Sequence, residues 1–134
     1  MIDFNATRNT SYVCLTGLTI FVYLFITYKN AFIPGSIAIN GILTHFDNNN
    51  LLIKFYDIIM NSIYCIICNR NSDSNYYYSK LFFTSLGIVG FLINYLYLYH
   101  YVGHNKHLYD IIHVLLCQLP LAVALSYYLH ETYS

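Results

Sequence analysis

The sequence predicts an all-α fold, a polytopic transmembrane helix bundle of four or five spans, in one domain over residues 1–134. Three observations lead there. Charged side chains are only 9% of the chain, against 57% hydrophobic, whereas a soluble domain carries about 25% charged residues. The mean hydropathy of +0.49 likewise excludes a disordered chain, which stays unfolded for want of apolar surface to bury. Finally, the apolar residues gather in blocks near the roughly 20 residues that cross a hydrocarbon core. In lipid, a block of that length satisfies its own backbone only as a helix, since β-barrel strands are about half as long.

The first block, 12–28, reads YVCLTGLTIFVYLFITY. It follows a polar stretch, MIDFNATRNTS, whose single Arg8 does not make the basic start of a signal peptide. Two glycosylation sequons, at Asn5 and Asn9, hint that this end faces a lumen or the outside. The second block, 34–46 within AFIPGSIAINGILTHF, is the shortest. Pro34 suits a first helical turn, where its missing N–H costs no hydrogen bond. A short span beginning there is expected, with a half-embedded segment as the alternative. The third block, 51–68 (LLIKFYDIIMNSIYCIIC), carries Lys54 and Asp57. The fourth, 81–101, holds Gly87 and Gly90, small residues that let helices approach closely. The fifth, 108–129, contains Pro120, which is expected to kink it.

One long polar linker, NRNSDSNYYYSK, separates the third and fourth blocks, and Tyr76, Tyr77 and Tyr78 are expected at the headgroup level. With five spans, Arg8, Lys54 and Lys106 fall on one face, and Lys29, Arg70 and Lys80 on the other. That even division leaves the orientation open. Sixteen Tyr and nine Phe without a single Trp, together with many Ile and Asn, fit the codon bias of an AT-rich genome. An endomembrane, a viral membrane and a mitochondrial membrane all remain open.

The formal net charge of zero provides no electrostatic footprint for nucleic acid. The expected partners are membrane lipids, with other membrane subunits left open. No Gly-rich phosphate loop, Ser-centred elbow or filter-like pore sequence occurs. Cys14, Cys65, Cys68 and Cys117 all lie within apolar blocks, where thiols pack as small hydrophobes. The CxxC formed by Cys65 and Cys68 reads the same way, as core rather than as a metal or redox pair.

The histidines are distributed unevenly. Span parity places His45, His100, His104, His107 and His113 towards one face, together with Asp57 and Asp110. Lys54, Asp57 and Asp110 lie within blocks, whereas Lys80 and Glu131 fall at span edges or in tails. Ionisable groups within spans are costly and default to functional candidates. Three imidazole nitrogens plus a water would make an open, catalytic-type zinc site, with a carboxylate to hold the water. The bland reading stands beside this one. Interfacial histidines are comfortable without a ligand, and Lys54, one turn away, would neutralise Asp57.

The stretch NGILTHFDNNNLLIKFYDIIMN resembles a signature of the superfamily that joins alkaline ceramidases, progestin/adipoQ receptors and myomaker-like proteins. There a His closes one span and an Asp opens the next. The stretch YDIIHVLL is similar to the His-rich opening of that group's last span. The resemblance implies a zinc-dependent, lipid-amide-hydrolase-like protein with His45 and His113 as zinc ligands and Asp57 orienting the bound water. Tyr109 stands where the group has a further His, so His107, or else His104, is expected to supply the third ligand. The group has seven spans, against four or five here.

A second stretch, HYVGHNKHLYD, is similar to the signature of the cytochrome b membrane anchor of succinate dehydrogenase. That resemblance implies haem b on His100. A third reading is a non-catalytic structural or accessory membrane protein, in which Asn40, Asn61, Asn94 and Gln118 hydrogen-bond between helices.

Overall fold

The computed structural model describes residues 12–29, 31–46, 51–102 and 105–133, and all regular structure among them is helical. Helix α1 runs Tyr12–Thr27, in two pieces that meet at Leu18. It stops where Tyr28 donates its N–H to the Leu24 carbonyl and Lys29 turns left-handed at φ 57°, a conformation that breaks right-handed winding. Helix α2, Phe32–Phe46, starts two residues before Pro34. Pro34 therefore sits among the first four residues, whose N–H groups have no partner within the helix. Helix α3, Leu51–Cys68, occupies the whole of the expected third block. Its end is capped by Asn69, whose Nδ2 donates to the Cys65 carbonyl at 2.8 Å.

Helix α4 joins Tyr77–Leu92, a wider π-helical segment Ile93–Leu98, and Tyr99–Val102. It begins four residues earlier than the apolar pattern suggests. Ser74 turns the chain there, its hydroxyl accepting from the Tyr76 N–H and its carbonyl from the Tyr77 N–H. The end of the polar linker is thus already helix, and the Tyr76 ring lies against Tyr127, tilted at 30° with centroids 5.2 Å apart. Helix α5 joins Lys106–His113, a second π segment Val114–Gln118, and Leu119–Tyr133. Asn105 caps it by accepting from the Leu108 N–H at 3.2 Å. That π segment ends two residues before Pro120, where the sequence predicts a kink. Pro120 has no N–H to offer the Leu116 carbonyl one turn back, and the widened turn absorbs the mismatch.

Glycines set the closest helix contact. A Cβ on Gly87 would lie 2.6 Å from Leu121 Cγ, and one on Gly90 would overlap the Leu116 carbonyl. These two positions bring the α4 backbone directly onto α5, and that pair forms the most extensive packing in the fold. The core is a cluster of Leu18, Phe21, Leu24, Ala31, Ala38, Cys68, Ala122, Leu125 and Leu129. Helix α3 rests mainly on α2, so it stands apart from α4 and leaves a cavity between them.

Two helical stretches, Tyr77–Leu98 and Leu108–Tyr133, are long and apolar enough to cross a membrane. Of their most apolar windows, 22% and 39% are buried inside the fold, and Leu86, Val89, Leu92, Leu115, Leu116 and Leu119 are among the apolar side chains left exposed. Tyr12–Thr27 is apolar but shorter.

Candidate metal centre

The antiparallel order of the helices brings three chain-distant side chains to one end of the bundle. Cys14 comes from the first turn of α1, His45 from the last turn of α2, and His113 from the point where α5 widens into its π segment. One ligand-capable atom from each lies within 4.8 Å of the other two. The His45 and His113 rings are 5.4 Å apart between centroids and inclined at 57°. Phe91 meets His113 edge-on at 6.2 Å. Cys14 Sγ lies 4.0 Å from the backbone carbonyl of Asp110, to which it donates. The Gln118 side-chain nitrogen is 3.5 Å from His45 Nε2. A Cβ on Gly17 would overlap the Gln118 side-chain oxygen, so Gly17 makes room for the side chain that steadies His45.

This trio can hold a metal ion. Thiolate and imidazole are the ligand types zinc prefers, and tetrahedral ligation sets neighbouring ligand atoms about 3.3–3.6 Å apart. Three protein ligands leave the fourth position open, as in catalytic zinc sites.

His45, His113 and Gln118 also line a large, mostly apolar cavity of about 620 Å³ between α3 and α4. Asp57 lines it too, one helix away. Asp57 Oδ1, Asn61 Oδ1, Asn69 Oδ1 and the Gln118 side-chain oxygen are buried with no hydrogen-bond partner among the described residues. All four of these residues line the same cavity. Asn69 Nδ2 donates across to Thr84 Oγ1 at 2.9 Å and ties the far end of α3 to α4.

Of the residues singled out from sequence, the structure brings His45 and His113 together and places Asp57 on the adjoining cavity wall. The His107 backbone opens α5, but its side chain lies outside the described residues, as does His104. The third member of the group that could hold a metal ion is instead Cys14, which the sequence reads as core packing. Span parity extended to cysteines would have found it, because the start of the first span and the end of the second share a face. Lys54 does not pair with Asp57. Its ammonium lies over the Tyr95 ring, 4.9 Å from the centroid. His100 is exposed in the last turn of α4 and lies outside the trio. None of the four cysteines forms a disulfide, and Cys65, Cys68 and Cys117 line the cavity. Asn94 bridges α4 and α5 by donating to the Tyr109 carbonyl at 3.4 Å, and Ser36 bonds the Tyr64 hydroxyl between α2 and α3.

No protein-family model matches the chain, no curated protein matches it, and no solved structure matches its fold.

Proposed function

We propose that the chain is a small multi-pass membrane protein that hydrolyses an amide bond in a lipid, using zinc held by Cys14, His45 and His113. The observation that carries this reading is the convergence of those three ligand atoms within 4.8 Å at the mouth of a largely apolar cavity. The membrane assignment is supported by 9% charged residues and by apolar helix faces turned outward. Five helices fit five spans, the second a short one.

Zinc, when bound, supplies an activated water near neutral pH and polarises the scissile carbonyl. The chain's own residues do the rest. The apolar wall between α3 and α4 accepts the acyl chain, and the space between those helices gives it lateral entry from lipid. The unpartnered oxygens of Asn61 and Gln118 accept the N–H and O–H donors that a lipid amide brings. Asp57 takes the proton of the attacking water as its oxygen bonds to the carbonyl carbon. The C–N bond then breaks, and that proton passes to the leaving nitrogen, so that a fatty acid and an amine result.

Elemental analysis of the purified full chain tests the centre. About one zinc per chain is expected. It is lost in Cys14→Ser, His45→Ala and His113→Ala, with affinity falling by at least about 100-fold, beyond the 10–100-fold typical of groups that merely orient ligands. A metal-free wild-type protein sinks the reading. Asp57→Asn keeps its zinc but loses about 100-fold or more in turnover of an N-acyl amphiphile in mixed micelles.

A further inference from the structure

A second, polar cavity of about 210 Å³ lies at the opposite end of the bundle, where the end of α3, the start of α4 and the end of α5 meet. Along α5, Glu131 follows His113 by eighteen residues, roughly 27 Å at ~1.5 Å per residue. The polar groups around the cavity are Arg70, Asn71, Lys80, Tyr128, Glu131 and Thr132.

Lys80 is 1% exposed and is the most deeply buried charge among the described residues. Its ammonium is 3.2 Å and 3.4 Å from the two Glu131 carboxylate oxygens and 5.9 Å from the centre of the Tyr128 ring. An ammonium has three N–H donors; one hydrogen-bonds Glu131 Oε2, and Oε1 lies at ion-pair distance without a hydrogen bond, so at least one N–H remains for a ligand. Arg70 adds a second cation at the exposed rim and makes no ion pair among the described residues. Two cations against one carboxylate leave the concavity with one positive charge, and a charged concavity gathers ions of the opposite sign. A guanidinium fork engages two phosphate oxygens at once, and the Tyr128 and Thr132 hydroxyls are further donors. The volume far exceeds the ~10–15 Å³ that a single water requires.

We propose that this cavity binds a phosphate monoester, held by the Arg70 guanidinium and the free N–H of Lys80, with the Tyr128 and Thr132 hydroxyls donating. The group arrives either on a lipid, as in phosphatidic acid, or as soluble phosphate. The site stands independently of the metal centre.

The test uses the full chain in phosphatidylcholine nanodiscs, with and without phosphatidic acid. Lipid retention is read by native mass spectrometry, and inorganic phosphate is titrated into both preparations with phosphorus NMR as the readout. Retained phosphatidic acid that inorganic phosphate fails to displace assigns the lipid headgroup. Saturable phosphate binding without lipid retention assigns the soluble source. In either case Arg70→Gln weakens binding by about ten-fold and Thr132→Ala by about three-fold, with the thermal midpoint unchanged because Arg70 and Thr132 are exposed. Failure of both probes to bind, or binding indifferent to both substitutions, overturns the proposal.

Discussion

Cys14 and Lys80 show how much one residue's role depends on partners far along the chain. Cysteine is among the most buried residue types, so a thiol in an apolar block reads as packing until His45 and His113 are seen beside it. Lys80 reads from sequence as a charge at a span edge, yet it is fully buried because Glu131, fifty-one residues on, closes over it. Breaking a buried pair by removing one partner strands the other charge. Glu131→Gln is therefore expected to cost about 3 kcal/mol, the lower end for such pairs, since Glu131 keeps 20% exposure. Lys80→Met combined with Glu131→Leu should recover most of that loss. Denaturant titration in micelles reads both. His45, His113 and Asp57 were legible because costly groups at matched depths in successive spans point to one place. No local pattern marks Cys14 as their companion.

Among the elements, the five apolar blocks were readable nearly to their ends, since the 57% apolar content is concentrated in them. The early start of α4 was not, because Ser74 caps it from inside a stretch whose composition reads as linker. Glycine positions separate contacts with backbone from contacts with side chains. At Gly90 an added methyl meets the Leu116 carbonyl, which cannot move without shifting α5. At Gly35 it meets only the Phe25 ring, at 2.8 Å. Gly90→Ala is thus expected to destabilise the bundle by about 1–3 kcal/mol. Gly35→Ala should be near neutral, because a small ring shift is offset by about 1 kcal/mol of helix propensity. Thermal unfolding of the two variants side by side distinguishes them. Gly17→Ala should leave the fold intact but displace Gln118 from His45, lowering zinc affinity about ten-fold.

The whole molecule has two chemically different ends joined by an apolar middle. One end gathers Cys14, His45 and His113, and the other gathers Arg70, Lys80 and Glu131 with Tyr76, Tyr127 and Tyr128 around them. If α4 crosses a bilayer, Asn71 and Asn105, at its two ends, face opposite compartments. Single cysteines introduced at those positions in sealed vesicles should react with an impermeant maleimide from opposite sides. Labelling of both from one side rejects the multi-pass reading. The bundle class was visible in composition alone. The cavity was not, because it results from α3 leaning on α2 and away from α4, a choice made by packing rather than by any periodicity.

The π segment Val114–Gln118 also acts as a phase shift within one continuous helix. A π turn accommodates one residue more than an α turn, and each residue of an α-helix advances about 100° around the axis. The two halves of α5 are therefore set independently. Gly87 packs on Leu121 in the half after Leu119 and Gly90 on Leu116 within the segment itself, while the half before Val114 is turned so that His113 faces Cys14 and His45. Deleting Val114 would rewind the segment to a plain α-helix and swing His113 by about 100°. The packing of Leu121 against Gly87 would be kept, so a change in length here separates the Cys14–His45–His113 group from the packing of α4 on α5.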